Sequence, residues 1–432
     1  MAATADTVDD STTEEHFLGH VVESAHAVQT TEDIVTPSGI KLLAKGARVD
    51  AGTRERLLAH KLAKPLEQCL EISDAITGDM LKPLAQQLLD EQPLLQTLHG
   101  KTSSIVELLG RLPLTSQLRS LLTLYAELPS DKLAHCVGVA LFATGLAKEV
   151  LADDDASMRM LLTAGLFHDV GELYVDPGFL KARSPLEPAH WKHIVAHPVI
   201  GHRVLRAMDG AGQVVADAVL CHHERRDGFG YPRHLAHDAL STRGEVLAAA
   251  EWLGGMMRRG RSPLTTASAA ARLMPGGFRE SIVRAIMPAA AAATKSQSTR
   301  QSGDVLARLI RATNTVANFR SSLPWIEGLI AAGSGASAVL AANHGRMERI
   351  ERSLARSGLS GEDPVALFAQ MNELDDPALL AELETVVTEI GWRLRELERD
   401  TVLRAGSLAP TDQAIVRELV ERLKAPPSTG EE

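Results

Sequence analysis

Hydrophobic positions recur at helical spacing over most of this chain. From about residue 53 to residue 109, leucines stand four residues apart, as at Leu58, Leu62 and Leu66. Apolar residues at this spacing lie on one face of a helix. Residues 113–290 continue with long Ala/Leu/Val periodicity and carry no convincing strand pattern. The pattern therefore predicts a mainly α-helical protein.

A strand pattern is confined to a short N-terminal segment. Ile34–Val35 and Ile40–Leu43 flank the turn sequence Pro37–Gly39, as expected of two short strands. With the helical pattern that follows, residues 31–112 are predicted to form a small α+β accessory module. It is expected to pack on or position the next domain, with ligand sensing as the alternative. Residues 1–30 are polar, acidic and rich in Thr and Ala, a composition typical of disorder.

The C-terminal part returns to a helical pattern. Residues 304–424 are predicted to be a helical region, followed by a frayed tail at 425–432. Residues 377–405 carry an amphipathic stripe, which is typical of a protein core or of a homodimer seam. The stripe consists of Leu379, Leu383, Val387, Ile390, Leu394 and Leu397.

Composition narrows the class of protein. A chain of 432 residues exceeds one ordinary core, so two or three domains are expected. Asp and Glu number 55 against 45 Lys and Arg, and aromatic residues make up 3%, which argues against binding to a nucleic acid polymer. Three cysteines are too few for a disulfide framework. Without an apolar membrane span or a signal pattern, a cytoplasmic protein with no membrane partner is expected.

Two histidine-containing pairs suggest metal chemistry. His168 and Asp169 are adjacent in GLFHDVGELYVDP, His222 and His223 are adjacent in CHHERRDGFGYP, and His197 lies between the pairs. Neighbouring side chains on a helix diverge by about 100°. Each pair can therefore bind one ion only if it lies near a helix end. For His168 and Asp169 the alternative is that Asp169 bridges two ions through its two oxygens. Imidazole and carboxylate ligands suit iron, manganese, nickel or zinc, and clustered ions cleave phosphoesters.

These residues resemble the HD-GYP family, a branch of the HD-domain metal phosphohydrolases. The resemblance implies an HD-domain helical bundle at residues 113–290 that holds two or three divalent transition-metal ions. Iron or manganese is expected first, with nickel or zinc as alternatives. Asp131 and Glu172 are weaker candidate ligands. The ligands that the resemblance implies are His135, His168, Asp169, His197, His222, His223 and Glu251.

The resemblance also implies an activity. Family members typically linearise cyclic di-GMP, so hydrolysis to pGpG and further to GMP is expected, with His168 and Asp169 as catalytic residues. The loop from Asp227 to Pro232 is expected to form a tight turn beside the site. Tyr231 in this loop is a candidate substrate contact. The loop itself is a candidate docking site for a diguanylate-cyclase-type partner.

Two departures from the family pattern bear on catalysis. Glu172 stands where the family has a lysine, and Gly254 stands where a second aspartate is expected. Downstream, Arg258, Arg259 and Arg261 are candidate phosphate contacts, or alternatively a solvated basic patch. The departures leave open a weak or inactive regulator that acts through protein partners, and an HD phosphohydrolase acting on another nucleotide.

Two cysteines adjoin proposed ligands. Cys136 follows His135 and Cys221 precedes His222. Free cysteine is commonly a small buried apolar residue, so neither thiol is expected to bind metal.

Overall fold

A computed structural model describes most of the chain. The described residues are 10–100, 104–128, 131–151, 154–181, 188–258, 276–293, 302–359, 363–374 and 376–426. They divide into two compact units. The first comprises Met1–Arg225 with Tyr231–Arg261, and the second comprises Arg226–Gly230 with Ser262–Glu432.

The N-terminal part of the first unit mixes helices with short strands. Two antiparallel two-stranded sheets pair β1 (Val28–Thr30) with β4 (Leu70–Ile72) and β2 (Ile34–Val35) with β3 (Lys41–Leu43). The elements in order are α1 (Asp10–Glu23), β1 (Val28–Thr30), β2 (Ile34–Val35), β3 (Lys41–Leu43), α2 (Ala51–Leu58), a 3-10 helix (Leu66–Gln68) and β4 (Leu70–Ile72).

The other regular elements described in the first unit are helices. They are α3 (Gly78–Glu91), α4 (Pro93–His99), α5 (Ser104–Gly110), α6 (Ser116–Ala126), α7 (Lys132–Ala147), α8 (Asp155–Phe167), α9 (Pro177–Lys181), α10 (Pro188–Val195), α11 (His197–Arg206), α12 (Gly212–Leu220) and α13 (Thr242–Arg258). Two further 3-10 helices span Val170–Tyr174 and His237–Ala239. The mainly α-helical fold with few strands is thus confirmed.

Residues 10–30 differ from the expectation of disorder, because Asp10–Glu23 form α1 and Val28–Thr30 form β1. Although the segment is polar overall, Phe17, Leu18 and Val21 are spaced to share one helix face, and all three are buried. The Phe17 ring stacks on Tyr174, with ring centroids 4.8 Å apart. This helix therefore braces the 3-10 helix Val170–Tyr174 inside the same unit. Residues 1–9 lie outside the described part of the chain.

A close helix crossing organises the core of the first unit. Helix α7 packs against α8 and α13, and α12 packs against α8 and α13. At the α7–α8 crossing, a Cβ added to Gly165 would lie only 2.4 Å from the Cα of Ala140. Only glycine lets the two backbones approach so closely.

The second unit is helical. Its helices are α14 (Glu280–Ala293), α15 (Ser302–Ala331), α16 (Ser337–Arg356), α17 (Pro364–Glu373), α18 (Pro377–Ala405) and α19 (Pro410–Lys424). In the stripe of α18, Leu383, Val387, Ile390 and Leu397 are buried in the core of this unit. The core interpretation of the stripe therefore holds within the unit, and a homodimer seam stays a prediction.

Among the described residues, none of the helices combines the length and apolar character needed to span a bilayer.

The α7–α8 crossing predicts an unequal response to glycine replacement. Gly165→Ala must push the α7 backbone away, and we expect it to lower the free energy of unfolding by about 2–3 kcal/mol. Gly19→Ala in α1 is the matched control, because no atom lies within 4 Å of the added Cβ. That control should be neutral or stabilising by up to about 1 kcal/mol. Urea unfolding of both variants measures the difference, and equal stabilities would contradict the close crossing.

Candidate metal centre

Helix ends position most of the histidines. Helix α8 ends at Phe167, His168 caps it, and Asp169 precedes the 3-10 helix Val170–Tyr174. His222 and His223 follow the C-cap of α12, Cys221, in the same way. Because the helices end at these points, the side chains of two adjacent residues can face the same site.

Seven side chains form two groups with the geometry of metal ligands. Asp169, His197, His222 and His223 make one group, and His135, His168 and Glu251 make the other. Within each group the ligand atoms lie within 4.8 Å of one another. His197 begins α11, His135 lies in α7 and Glu251 lies in α13.

The Asp169 carboxylate lies between the two groups. Its Oδ1 is 3.3 Å from His197 Nε2 and 3.4 Å from His222 Nε2. Its Oδ2 is 3.3 Å from His168 Nε2 and 3.8 Å from His135 Nε2. One oxygen therefore faces each group, which is the arrangement of a carboxylate that can bridge two ions.

Backbone hydrogen bonds orient the rings of His197 and His222. Nδ1 of His197 donates to the Ile194 carbonyl at 2.6 Å, and Nδ1 of His222 donates to the Val219 carbonyl at 2.6 Å. Burial and the neighbouring His197 lower the pKa of His222, so its Nε2 carries a lone pair. Yet the two Nε2 atoms lie only 3.0 Å apart. Because Nδ1 of each ring is bonded to a carbonyl, both Nε2 atoms are left facing Asp169 Oδ1, so the pair fits a shared metal ion.

The group of His135, His168 and Glu251 would also be stabilised by a cation, because of Glu251. Its Oε2 is buried without a hydrogen-bond partner, and it lies 2.9 Å from His135 Nε2 and 3.3 Å from His168 Nε2. Burial opposes ionisation of Glu251, but His135 and His168 outweigh it and hold its pKa well below the usual range. Likewise, burial would lower the pKa of His168, but Asp169 and Glu251 raise it well above its usual value. The same field would attract a metal ion.

Glu172 is held by an ion pair outside both groups. Its Oε2 accepts a hydrogen bond from Lys132 Nζ at 2.5 Å and one from the Tyr125 hydroxyl at 2.9 Å. The Tyr125 hydroxyl also lies 3.3 Å from Asp169 Oδ2. Burial, with Asp169 and Glu172 nearby, raises the pKa of Tyr125 well above its usual value, so the hydroxyl remains a donor. Asp131 is exposed and likewise outside both groups.

The sequence pattern does not predict Lys132 or Tyr125 as residues of the site. Both lie far from Glu172 along the chain, and only Lys132 offered a signal, as the cation beside the candidate ligand Asp131. The lysine that the family pattern places at position 172 is thus replaced by a carboxylate paired with a lysine from α7. The pair carries no net charge.

The departure at Gly254 has a steric reason. A Cβ at this position would lie 2.7 Å from Val139 Cγ2 and 3.4 Å from His135 Nδ1. An aspartate would therefore collide with α7 and disturb a candidate ligand.

Tyr231 lies against the candidate site. Its ring stacks on His223, with centroids 4.5 Å apart and planes 30° apart. Buried Glu224 accepts hydrogen bonds from the backbone N–H groups of Arg233 and Leu235, at 2.6 and 2.9 Å, which anchors the chain after the loop. Burial and the neighbouring His222 and His197 hold the pKa of His223 well below its usual value, so this ring is neutral.

The other candidate residues do not join the two groups. Cys136 and Cys221 are buried, and burial raises the pKa of the Cys221 thiol to about 12. Arg258 ends α13, its side chain lies outside the described part of the structure, and Arg259 and Arg261 lie outside the described residues altogether.

Comparisons with known proteins agree with this geometry. Residues 133–256 match the model of the HD domain family. A Vibrio cholerae protein named 3′3′-cGAMP-specific phosphodiesterase 3 is 25% identical over 48% of this chain and 49% of its own. A cyclic di-GMP phosphodiesterase of Pseudomonas aeruginosa is 35% identical over 25% of this chain and 26% of its own. A cyclic di-GMP phosphodiesterase of Thermotoga maritima is 26% identical over 33% and 38%.

These matches confirm the resemblance to HD-GYP proteins. The chain spans half or less of the length of the curated relatives named above.

The two groups predict that single substitutions change the number of bound metal ions differently. The wild-type protein should hold two ions per chain, one for each group. Glu251→Gln removes the carboxylate of one group only and should leave about one ion, whereas Asp169→Ala should lower occupancy of both groups. Mass spectrometry of the metal content measures this, with the exposed carboxylate variant Asp217→Asn as control. Unchanged metal content in Asp169→Ala would overturn the bridging arrangement.

The Lys132–Glu172 pair predicts a strong energetic coupling. Both side chains are mostly buried, at 10% and 12% exposure, so Lys132→Met leaves a carboxylate without its cation. We expect a loss of about 3 kcal/mol in the free energy of unfolding. Lys132→Met/Glu172→Gln should recover most of that loss. A double-mutant cycle by urea unfolding tests the pair, and purely additive effects would rule it out.

Proposed function

We propose that this chain, with its HD domain at residues 133–256, hydrolyses a 3′–5′ phosphodiester bond of cyclic di-GMP. The proposed product is linear pGpG, with GMP as a further product. The observation that supports this best is the position of Asp169, with one carboxylate oxygen facing each ligand group. The names of the Pseudomonas and Thermotoga relatives support the choice of substrate.

The residues that would hold the ions are the two groups described above. Divalent ions there, iron or manganese before nickel or zinc, would acidify water and offset the negative charge of the phosphate. Asp169 fixes the spacing between the groups because its two oxygens are rigidly linked. The carbonyls of Ile194 and Val219 hold the rings of His197 and His222 with Nε2 facing inward. The protein thus presets the ligand directions before substrate arrives.

The ion pair of Glu172 favours an enzyme over an inactive regulator. A bare carboxylate beside the site would repel the anionic substrate, which was one of the two reasons to consider loss of activity, the other being the altered segment after Glu251. Lys132 neutralises Glu172, and Tyr125 donates to it as well. The repulsion that the sequence suggested is therefore largely removed.

The hybrid cyclic dinucleotide 3′3′-cGAMP is the second candidate substrate. The Vibrio relative named for this substrate aligns with nearly half of the chain, a longer stretch than the Pseudomonas and Thermotoga relatives. Contacts of Tyr231, Arg258, Arg259 and Arg261 with the nucleotide stay predictions. A diguanylate-cyclase-type partner at the loop after Asp227 also stays a prediction.

Turnover of purified protein tests the proposal. The protein is purified without oxygen, loaded separately with Fe(II) and Mn(II), and given cyclic di-GMP, 3′3′-cGAMP or cyclic di-AMP. We expect linear product from the wild type, and kcat lowered at least about a hundredfold in Asp169→Asn, which keeps the size of the side chain. Asp217→Asn, in which the exposed partner of His202 changes, should keep full activity.

Each outcome of this assay bears on one alternative. Faster turnover of 3′3′-cGAMP would shift the substrate to the hybrid dinucleotide. Metal-loaded protein without turnover of any of the three would contradict the proposal and favour the regulator.

A further inference from the structure

A cavity of about 400 Å³ lies within the second unit. Its walls come from four helices, α15, α16, α18 and α19. Sites for small organic molecules in proteins typically measure roughly 300–1,000 Å³. The cavity is therefore large enough for a compact ligand.

The walls of the cavity are largely apolar. Met347, Leu394, Leu397 and Leu423 all line it, and Met347 and Leu397 belong to the buried residues of the unit's core. Burial of an apolar group against such walls is favourable by about 25 cal/mol per Å². The ligand should therefore carry an apolar body.

Among the described residues that line the cavity, cationic side chains outnumber carboxylates. Arg308, Arg311, Arg395 and Lys424 line it together with one carboxylate, that of Glu398. Glu398 pairs with Lys424 at 2.5 Å, and Arg308 donates to Thr388 Oγ1 at 2.8 Å and lies 3.8 Å from Glu384. These contacts hold two of the cations in place, and the cationic side chains among the lining residues favour an anionic group on the ligand.

Gly391 gives Arg395 its position at the cavity. A Cβ at Gly391 would lie 3.3 Å from Arg395 Nη1, so the arginine folds back along α18 over the glycine. Both residues line the cavity. The absent side chain leaves room beneath the guanidinium.

Asn343 supplies an unused hydrogen-bond acceptor in the wall. The residue is 3% exposed, and its Oδ1 has no hydrogen-bond partner. The orientation of the amide is fixed, because Thr401 Oγ1 donates its only proton to the Leu397 carbonyl and must accept from Asn343 Nδ2, at 2.7 Å. A buried acceptor without a partner is unfavourable, so a ligand that donates an O–H or N–H here would be stabilised.

We propose that this cavity binds a small amphipathic organic anion. Its apolar body would lie against Met347, Leu394 and Leu423, its anionic group near Arg395 and Arg311, and a donor group at Asn343. The proposal does not depend on the activity proposed for the metal centre.

Anilinonaphthalene sulfonate is a suitable probe, because it combines an apolar ring system, a sulfonate and one N–H donor. Titration of the full-length, metal-loaded protein should give a saturable rise in fluorescence with one site per chain. Decanoate should displace the probe, whereas decanol, which has the same chain without the charge, should compete at least about tenfold more weakly.

Variants of the lining residues test whether the probe binds in the cavity. Arg395→Glu should weaken binding at least about tenfold, and Asn343→Leu about fivefold. Leu394→Trp fills the cavity and should abolish saturable binding. Arg417→Glu is the matched control, because it makes the same charge change on the exposed face of α19 away from the cavity and should leave binding unchanged.

The outcomes separate this site from non-specific binding. Loss of affinity in the three cavity variants and not in Arg417→Glu, with unchanged circular dichroism, supports the proposal. The proposal is overturned by non-saturable binding, by equal loss in Arg417→Glu, or by retained affinity in the cavity variants. If Leu394→Trp fails to fold, Arg395→Glu and Asn343→Leu give the decision, since both change side chains without filling the core.

Discussion

The candidate metal centre depends on the contacts between the Asp169 carboxylate and the surrounding histidines. Among the described residues the carboxylate has one oxygen facing each group of candidate ligands, and these candidates come from five separate segments of the first unit. A buried carboxylate is stable there only because the surrounding histidines outweigh the effect of burial and hold its pKa well below the usual range. The close crossing at Gly165 and the brace of Phe17 on Tyr174 keep the flanking segments of Asp169 in place.

Local features of the centre could be predicted from sequence, whereas its distant partners could not. The pairs His168–Asp169 and His222–His223 predict helix ends, because two adjacent side chains in the middle of a helix cannot converge on one ion. By contrast, nothing near Glu172 in sequence indicates that Lys132, forty residues earlier, neutralises it. Composition also gave a wrong prediction for α1, which was expected to be disordered. A few apolar residues at helical spacing suffice to bury one face of this helix.

The second unit shows the same limit for the loop after His223. Asp227 pairs with Arg393 at 2.7 Å, although 166 residues separate them. The fully buried Phe229 ring is surrounded by the guanidinium groups of Arg346, Arg349 and Arg393, at 5.1, 5.5 and 5.2 Å from its centroid. Sequence indicates a glycine-rich turn here, but not that its phenylalanine is a core residue held by three cations.

Covalent continuity links these contacts to the candidate ligand His223. The chain passes from His223 into the second unit at Arg226 and returns to the first at Tyr231, which stacks on His223. Helix α16 carries Arg346 as well as Asn343 and Met347 of the cavity, and α18 carries Arg393 as well as Leu394 and Leu397. The segment that follows the histidine pair is therefore held by the same two helices that line the cavity.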